Sequence, residues 1–248
     1  MTLPLIEVTD LGIAYRLSRN QAATFKEFLI RAVKRQVSFE KLWAVRGVSF
    51  DVARGEVFGI VGPNGAGKSS LMKVVARVLP PSEGRVIVRG AVAPMIELGA
   101  GFNTELTARE NIILYGTLLG RRPEFMRERV NGILEWADLL EFSDVPVRSF
   151  STGMMARLGF SVATDVRPDI LVVDEVLSVG DESFQLRSRA RITELMNAGV
   201  SVVLVSHSLG LVADIADRVM WMDHGMPKMI GEPGAVVDAY RRWSSSSH

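Results

Sequence analysis

The chain has 248 residues, 48% apolar and 23% charged, which is long enough for one large globular domain or a domain with a small subdomain. Its 29 Lys and Arg nearly cancel 28 Asp and Glu, so bulk charge gives no reason to expect a nucleic-acid partner. The absence of cysteine excludes a disulfide framework, a thiolate metal site and a cysteine nucleophile, and fits a reducing compartment such as the cytoplasm.

The first residues, Met1 to Asp10, alternate apolar and polar side chains and carry Glu7 and Asp10, unlike the basic-then-apolar layout of a secretion signal. No uninterrupted apolar run reaches the ~18 residues that a membrane span needs. Leu5 to Val8 reads as a strand, and so does Val48 to Val52, where Val48, Phe50 and Val52 alternate with Ser49 and Asp51. Between them the stretch 16–42 is basic, with Arg16, Arg19, Lys26, Arg31, Lys34, Arg35 and Lys41 against Glu27 and Glu40. Thr24 and Glu27 have capping-box spacing there, and Phe25, Phe28, Leu29, Ala32, Val33 and Gln36 recur at helical intervals, predicting an inserted amphipathic helix.

From Glu56 the pattern becomes short apolar runs followed by helical periods. Val57 to Val61 precedes a helix over 67–76, Ile170 to Asp174 precedes one over 181–196, and Val202 to Val205 precedes one over 208–216. Strands buried on both faces with helical crossovers read this way, so the expected fold class is α/β with P-loop topology. Between Thr107 and Ser149 there are two or three helical segments and no convincing strand. One is opened by the capping box of Thr107 and Glu110, another by Pro123 near its first turn. This predicts a helical subdomain inserted into the α/β core. The serine run Ser244 to Ser247 reads as a frayed tail.

Two motifs carry chemistry on their own residues. Gly62-Pro63-Asn64-Gly65-Ala66-Gly67-Lys68-Ser69 matches the phosphate-binding loop pattern and sits between an apolar strand and a helix, as its mechanism requires. Glycines let successive backbone N–H groups turn inward around phosphate oxygens, and the following helix aims its positive end at the same anion. Gly62, Asn64, Gly65, Ala66, Gly67, Lys68, Ser69 and Ser70 are therefore candidate nucleotide contacts, with Lys68 reaching the β and γ phosphates and Ser69 a Mg²⁺ ion. The strand Ile170 to Asp174 delivers Asp174 and Glu175 at its C-terminal edge, where open α/β sheets bind ligands. Asp174 suits the metal and Glu175 suits the general base for an attacking water.

With Ser151-Thr152-Gly153-Met154-Met155 placed just before a helix and the Asp174 strand, the chain resembles the ABC ATPases. The resemblance implies a P-loop ABC-ATPase fold, a mixed sheet with an antiparallel β-subdomain and the inserted helical subdomain. It implies one nucleotide-binding unit over 1–248, with the helical part at about 97–165 and a C-terminal segment at 225–248 in place of a carbohydrate-binding domain. It further implies ATP and Mg²⁺ as ligands and a homodimer in which Ser151 and Gly153 of one copy cap the γ-phosphate held by the other. Ser178-Val179-Gly180-Asp181 resembles the loop that meets the partner's site, with Asp181 as its aspartate, and His207 resembles the switch histidine. Tyr15 resembles the aromatic that stacks on adenine, with Trp43 as the alternative.

The sequence also departs from the family. Thr152 and Met154 replace a glycine and a glutamine of the usual signature. Leu98 falls where a metal-touching glutamine is usual, which leaves Glu97 as the candidate for that role. Together with the runs Ile96 to Phe102 and Leu106 to Asn111 and the basic insertion, these departures resemble the ATPase subunits of bacterial polysaccharide exporters. The implied partners are two copies of a permease of about six membrane-spanning helices, and the implied place is the cytoplasmic face of the membrane. Residues 16–42 would contact anionic lipid or a lipid-linked glycan there, or would simply be a solvated helix covering the sheet. The ATPase of a drug or lipid exporter, and a soluble mechanical ABC protein, are the competing functions.

Overall fold

The computed structural model describes residues 3–18, 39–96, 98–174 and 181–246. The predicted helix of the basic insertion, and Glu97, Glu175, Ser178, Val179 and Gly180, lie outside the described residues. The two flanking strands are longer than the sequence pattern suggested. β1 (Ile6–Ser18) pairs antiparallel with β2 (Phe39–Val52), their ends meeting at Ser18 and Phe39. β4 (Glu83–Val88) lies on the other side of β1, giving a three-stranded antiparallel sheet of order β2-β1-β4.

The second sheet has the order β5-β6-β7-β3-β8-β9. It comprises β3 (Val57–Val61), β5 (Val92–Met95), β6 (Ile170–Asp174), β7 (Ser201–Val205) and β8 (Arg218–Asp223), all parallel to their neighbours, and the antiparallel edge strand β9 (Met226–Gly231). The central strands read as unbroken apolar runs because alternate residues feed two different cores. Phe58, Ile60, Ile170, Val172, Val203 and Val205 face a core shared with the small sheet and with α1 (Lys68–Val75). Val57, Val61, Leu171, Val173, Val202 and Leu204 face the other core, where Phe184 and Ile192 of α5 (Glu182–Asn197) pack. A period-two strand buried on both faces needs apolar residues at every position.

A third core belongs to α2 (Ala108–Leu118), α3 (Pro123–Trp136) and α4 (Thr152–Asp165), with Ile112, Met126, Val130, Ile133, Leu158 and Val162 buried together. The predicted caps start these helices. Thr107 and Glu110 form the reciprocal capping box, and Pro123 stands in the first turn of α3. Glu110 is held below the usual carboxylate range by its bonds from the backbone and side chain of Thr107. α6 (Leu209–Ile215) and α7 (Pro233–Ser246) complete the described chain.

The expectation of a frayed serine tail fails for Ser244 to Ser246, which continue α7. The Ser245 hydroxyl donates to the carbonyls of Arg241 and Arg242, and that of Ser246 to Trp243. Trp243 packs on Trp221 at 5.4 Å between ring centres. Tertiary anchoring thus overrides the weak helix propensity of serine.

Candidate nucleotide site

β3 ends in the loop that leads into α1, and two glycines there are fixed by close approach. Gly62 has φ 149° and a Cβ at that position would lie 2.1 Å from the Met222 carbonyl oxygen. Gly67, at φ 94°, would place one 2.3 Å from the carbonyl oxygen of Ala44. Both conformations are strained for any other residue. Gly62→Ala is expected to cost at least about 1–3 kcal/mol in strain, seen as a melting temperature lower by roughly 5 °C.

The loop opens into a cavity of about 730 Å³. Asn64, Gly65, Ala66, Gly67, Lys68, Ser69 and Ser70 line it together with Asp174 and His207, and Ala44, Ile96 and Val205 add apolar wall. The strand order brings these groups together. β6 and β7 are parallel neighbours with Asp174 opposite Val205, so His207, two residues past that strand end, reaches the same edge of the sheet and the same cavity. β3 pairs with the other edge of β7 and delivers the loop to the same C-terminal edge.

Lys68 is buried, and its ammonium donates to the carbonyl oxygens of Gly62 at 2.8 Å and Pro63 at 2.9 Å. It is therefore held inside the loop and in place for a phosphate oxygen. The Tyr15 hydroxyl lies 3.0 Å from that of Ser70, a lining residue, and 38% of the Tyr15 surface is exposed. Trp43 is engaged elsewhere, lying over Gly12 with the Arg46 guanidinium 5.2 Å from its ring centre. Leu98 packs against Gly159 of α4 and the second core, as a residue that cannot ligate metal should.

Ser151, Gly153, Met154 and Asp181 line a different cavity, of about 440 Å³. Ser151 caps α4, accepting a bond from the Met154 N–H at 3.2 Å, and Gly153 leaves the helix start open. Asp181 caps α5 in the same way, accepting from the Phe184 N–H at 2.9 Å. That bond, with the neighbouring Arg157, holds its carboxyl below the usual range. Sequence reasoning missed two residues here. Arg157 pairs with Asp181 and lies 3.8 Å from Asp138, which also pairs with Arg187. The only local signal was that Arg157 lies one helical turn beyond Gly153, on its face of α4.

Mg²⁺ prefers one or two protein oxygens together with phosphate and water. Ser69 and Asp174, which line one cavity, fit that preference, and the described residues contain no larger group of metal-binding side chains.

A profile of the ABC transporter family matches residues 45–178. The chain is 40% identical to the O-antigen export system ATP-binding protein RfbB of Klebsiella pneumoniae, across 96% of this chain and 98% of that protein. It is 37% identical to the teichoic acids export ATP-binding protein TagH of Listeria innocua, across 91% of this chain and 66% of that protein. Among solved structures it resembles the dimeric, post-hydrolysis ATP-binding cassette MJ0796 with a TM-score of 0.71, at 19% identity and coverage of 92% and 98% of the two chains. The chain belongs to the ABC transporter family as an ATPase subunit, of the type found in polysaccharide and teichoic-acid export.

Proposed function

We propose that two copies of this chain close around ATP and Mg²⁺, and that hydrolysis reopens them to drive export of a lipid-linked polysaccharide through a partner permease. The observation that carries the dimer is the separation of the two cavities. Lys68, Ser69, Asp174 and His207 share one, Ser151, Gly153 and Asp181 the other, so a second copy can bring its signature cavity over the first copy's phosphate cavity. The full-length similarity to O-antigen and teichoic-acid export proteins supports the choice of cargo.

In this reading the loop N–H groups and Lys68 hold the β and γ phosphates, and Tyr15 stacks on adenine. Ser69 and Asp174 hold Mg²⁺, which when bound offsets the phosphate charge; Glu97 is a further candidate for that ion. Glu175 takes a proton from the water that attacks the γ phosphorus, the bond to the β-phosphate oxygen breaks, and ADP leaves with that electron pair. His207 and the partner copy's Ser151 donate to the γ oxygens. Glu175→Gln keeps ATP binding but removes the base, so turnover should fall by about 10²–10⁴-fold and an ATP-bound dimer should accumulate on size exclusion. Native-rate hydrolysis would remove Glu175 from this role.

No described helix is long and apolar enough to cross a membrane, so membrane attachment through two permease copies is part of the proposal, as is a site of action on the cytoplasmic face. Residues 16–42 contribute contact with anionic headgroups or glycan, at about 1 kcal/mol per basic residue. Replacing Arg31, Lys34 and Arg35 together by Gln should reduce export in cells and leave ATPase activity intact, and unchanged export would refute this contact.

A further inference from the structure

His207 borders a second cavity. Behind it, between Gly62, Ser206 and the last turns of α7, lies a space of about 390 Å³ walled by Tyr240, Arg241 and Ser244. The wall is a fixed part of the fold. Val236 and Val237 of α7 are buried, Tyr240 and Trp243 pack on Trp221 at 5.7 and 5.4 Å, and Glu232 accepts bonds from the N–H groups of Gly234 and Ala235 at the start of the helix.

The polar groups facing this cavity can donate. Ser206 accepts from the Ser208 N–H at 3.1 Å, which leaves its own proton to give. Arg241 has Asp238 as its nearest acid, at 3.6 Å on the exposed side of the helix, a pair too loose and wet to occupy its whole fork. Ser244 adds a third donor, whereas the proton of Ser245 is spent on α7 carbonyls. The nearby Asp223 carboxylate, which pushes the Tyr240 hydroxyl up after burial has done so, lies 3.7 Å from both Lys228 and His224. One guanidinium with two hydroxyl donors recognises a small oxyanion.

The two cavities share His207, and Gly62, which lines the rear one, gives its carbonyl to Lys68. We infer that the rear cavity is an inorganic-phosphate site, through which the freed γ-phosphate leaves while the partner's signature loop still covers the front. The inference rests on the ATP site proposed above.

Two measurements test it. Inorganic phosphate alone is titrated into Lys68→Ala protein, with and without Arg241→Gln, and followed by phosphorus-31 line broadening; the second substitution should weaken binding at least about five-fold. Ser244→Leu fills the cavity from an accessible helix position. Rapid-quench cleavage of ATP should stay native in that variant, which also reports its folding, while release detected by a fluorescent phosphate sensor should lag at least about five-fold. Either change supports the site, the first as a binding place and the second as a route. Equal phosphate binding with and without Arg241, together with native release in Ser244→Leu, overturns it. If native protein shows no cleavage at all, the ATP-site reading fails, and the phosphate titration still decides this one because it needs no turnover.

Discussion

Lys68→Ala is expected to lower ATP hydrolysis at least about 100-fold, the scale on which removal of one preorganised donor at developing charge acts. Its ammonium is buried yet aimed at the carbonyls of Gly62 and Pro63, so it is oriented before phosphate arrives. The charge spread over the γ oxygens during transfer then finds a donor already in place. Lys68→Arg should not rescue, because a planar fork cannot fit between two carbonyls that hold a point charge. The bond to the Gly62 carbonyl is buried, so losing it should also cost about 1–3 kcal/mol, seen as a melting temperature lower by several degrees. Steady-state hydrolysis and a thermal melt together check this, and a loss smaller than ten-fold would take Lys68 out of the site.

Mixing two inactive variants should restore activity that neither has alone. Gly153→Asp puts a carboxylate at the open start of α4, where the proposed dimer places a γ-phosphate, and like charges there repel. Alone it should be as inactive as Lys68→Ala. In a mixed dimer, one composite site carries both defects and the other pairs an intact Lys68 with an intact Gly153. Random association makes about half of the dimers mixed, so recovery to roughly a quarter of native hydrolysis is expected from one working site per mixed dimer. A mixture as inactive as its parts would mean that each chain completes its own site, against the separation of the two cavities.

Much of the phosphate cavity was legible in the residues. The loop's glycine spacing, the apolar strand before it and the carboxylate at the end of Ile170–Asp174 are each local in sequence, and the structure places Lys68, Ser69, Asp174 and His207 around one cavity. The capping box of Thr107 and Glu110 was equally readable, since all its bonds fall within four residues. Strands β4, β5, β8 and β9 were not anticipated. The residues of β4 and β9 are largely half-buried or exposed, so no clean alternation marks them, and their partners β1 and β8 supply the reason for their extended form. Arg157 escaped notice because its partners Asp138 and Asp181 come from two other segments.

The sequence by itself determined where phosphate chemistry can occur, because glycine conformation, helix capping and the two-face burial of central strands are set by neighbours a few residues apart. Only the tertiary structure decided which of those groups share a cavity. The order β6-β7-β3 collects Asp174, His207 and the loop at one edge, whereas the start of α4 lines another cavity. The different surroundings of Tyr15 and Trp43 are of the same kind. One ring bonds Ser70 and the other lies over Gly12, a difference set by how the small sheet packs on α1, which leaves no trace in the local sequence.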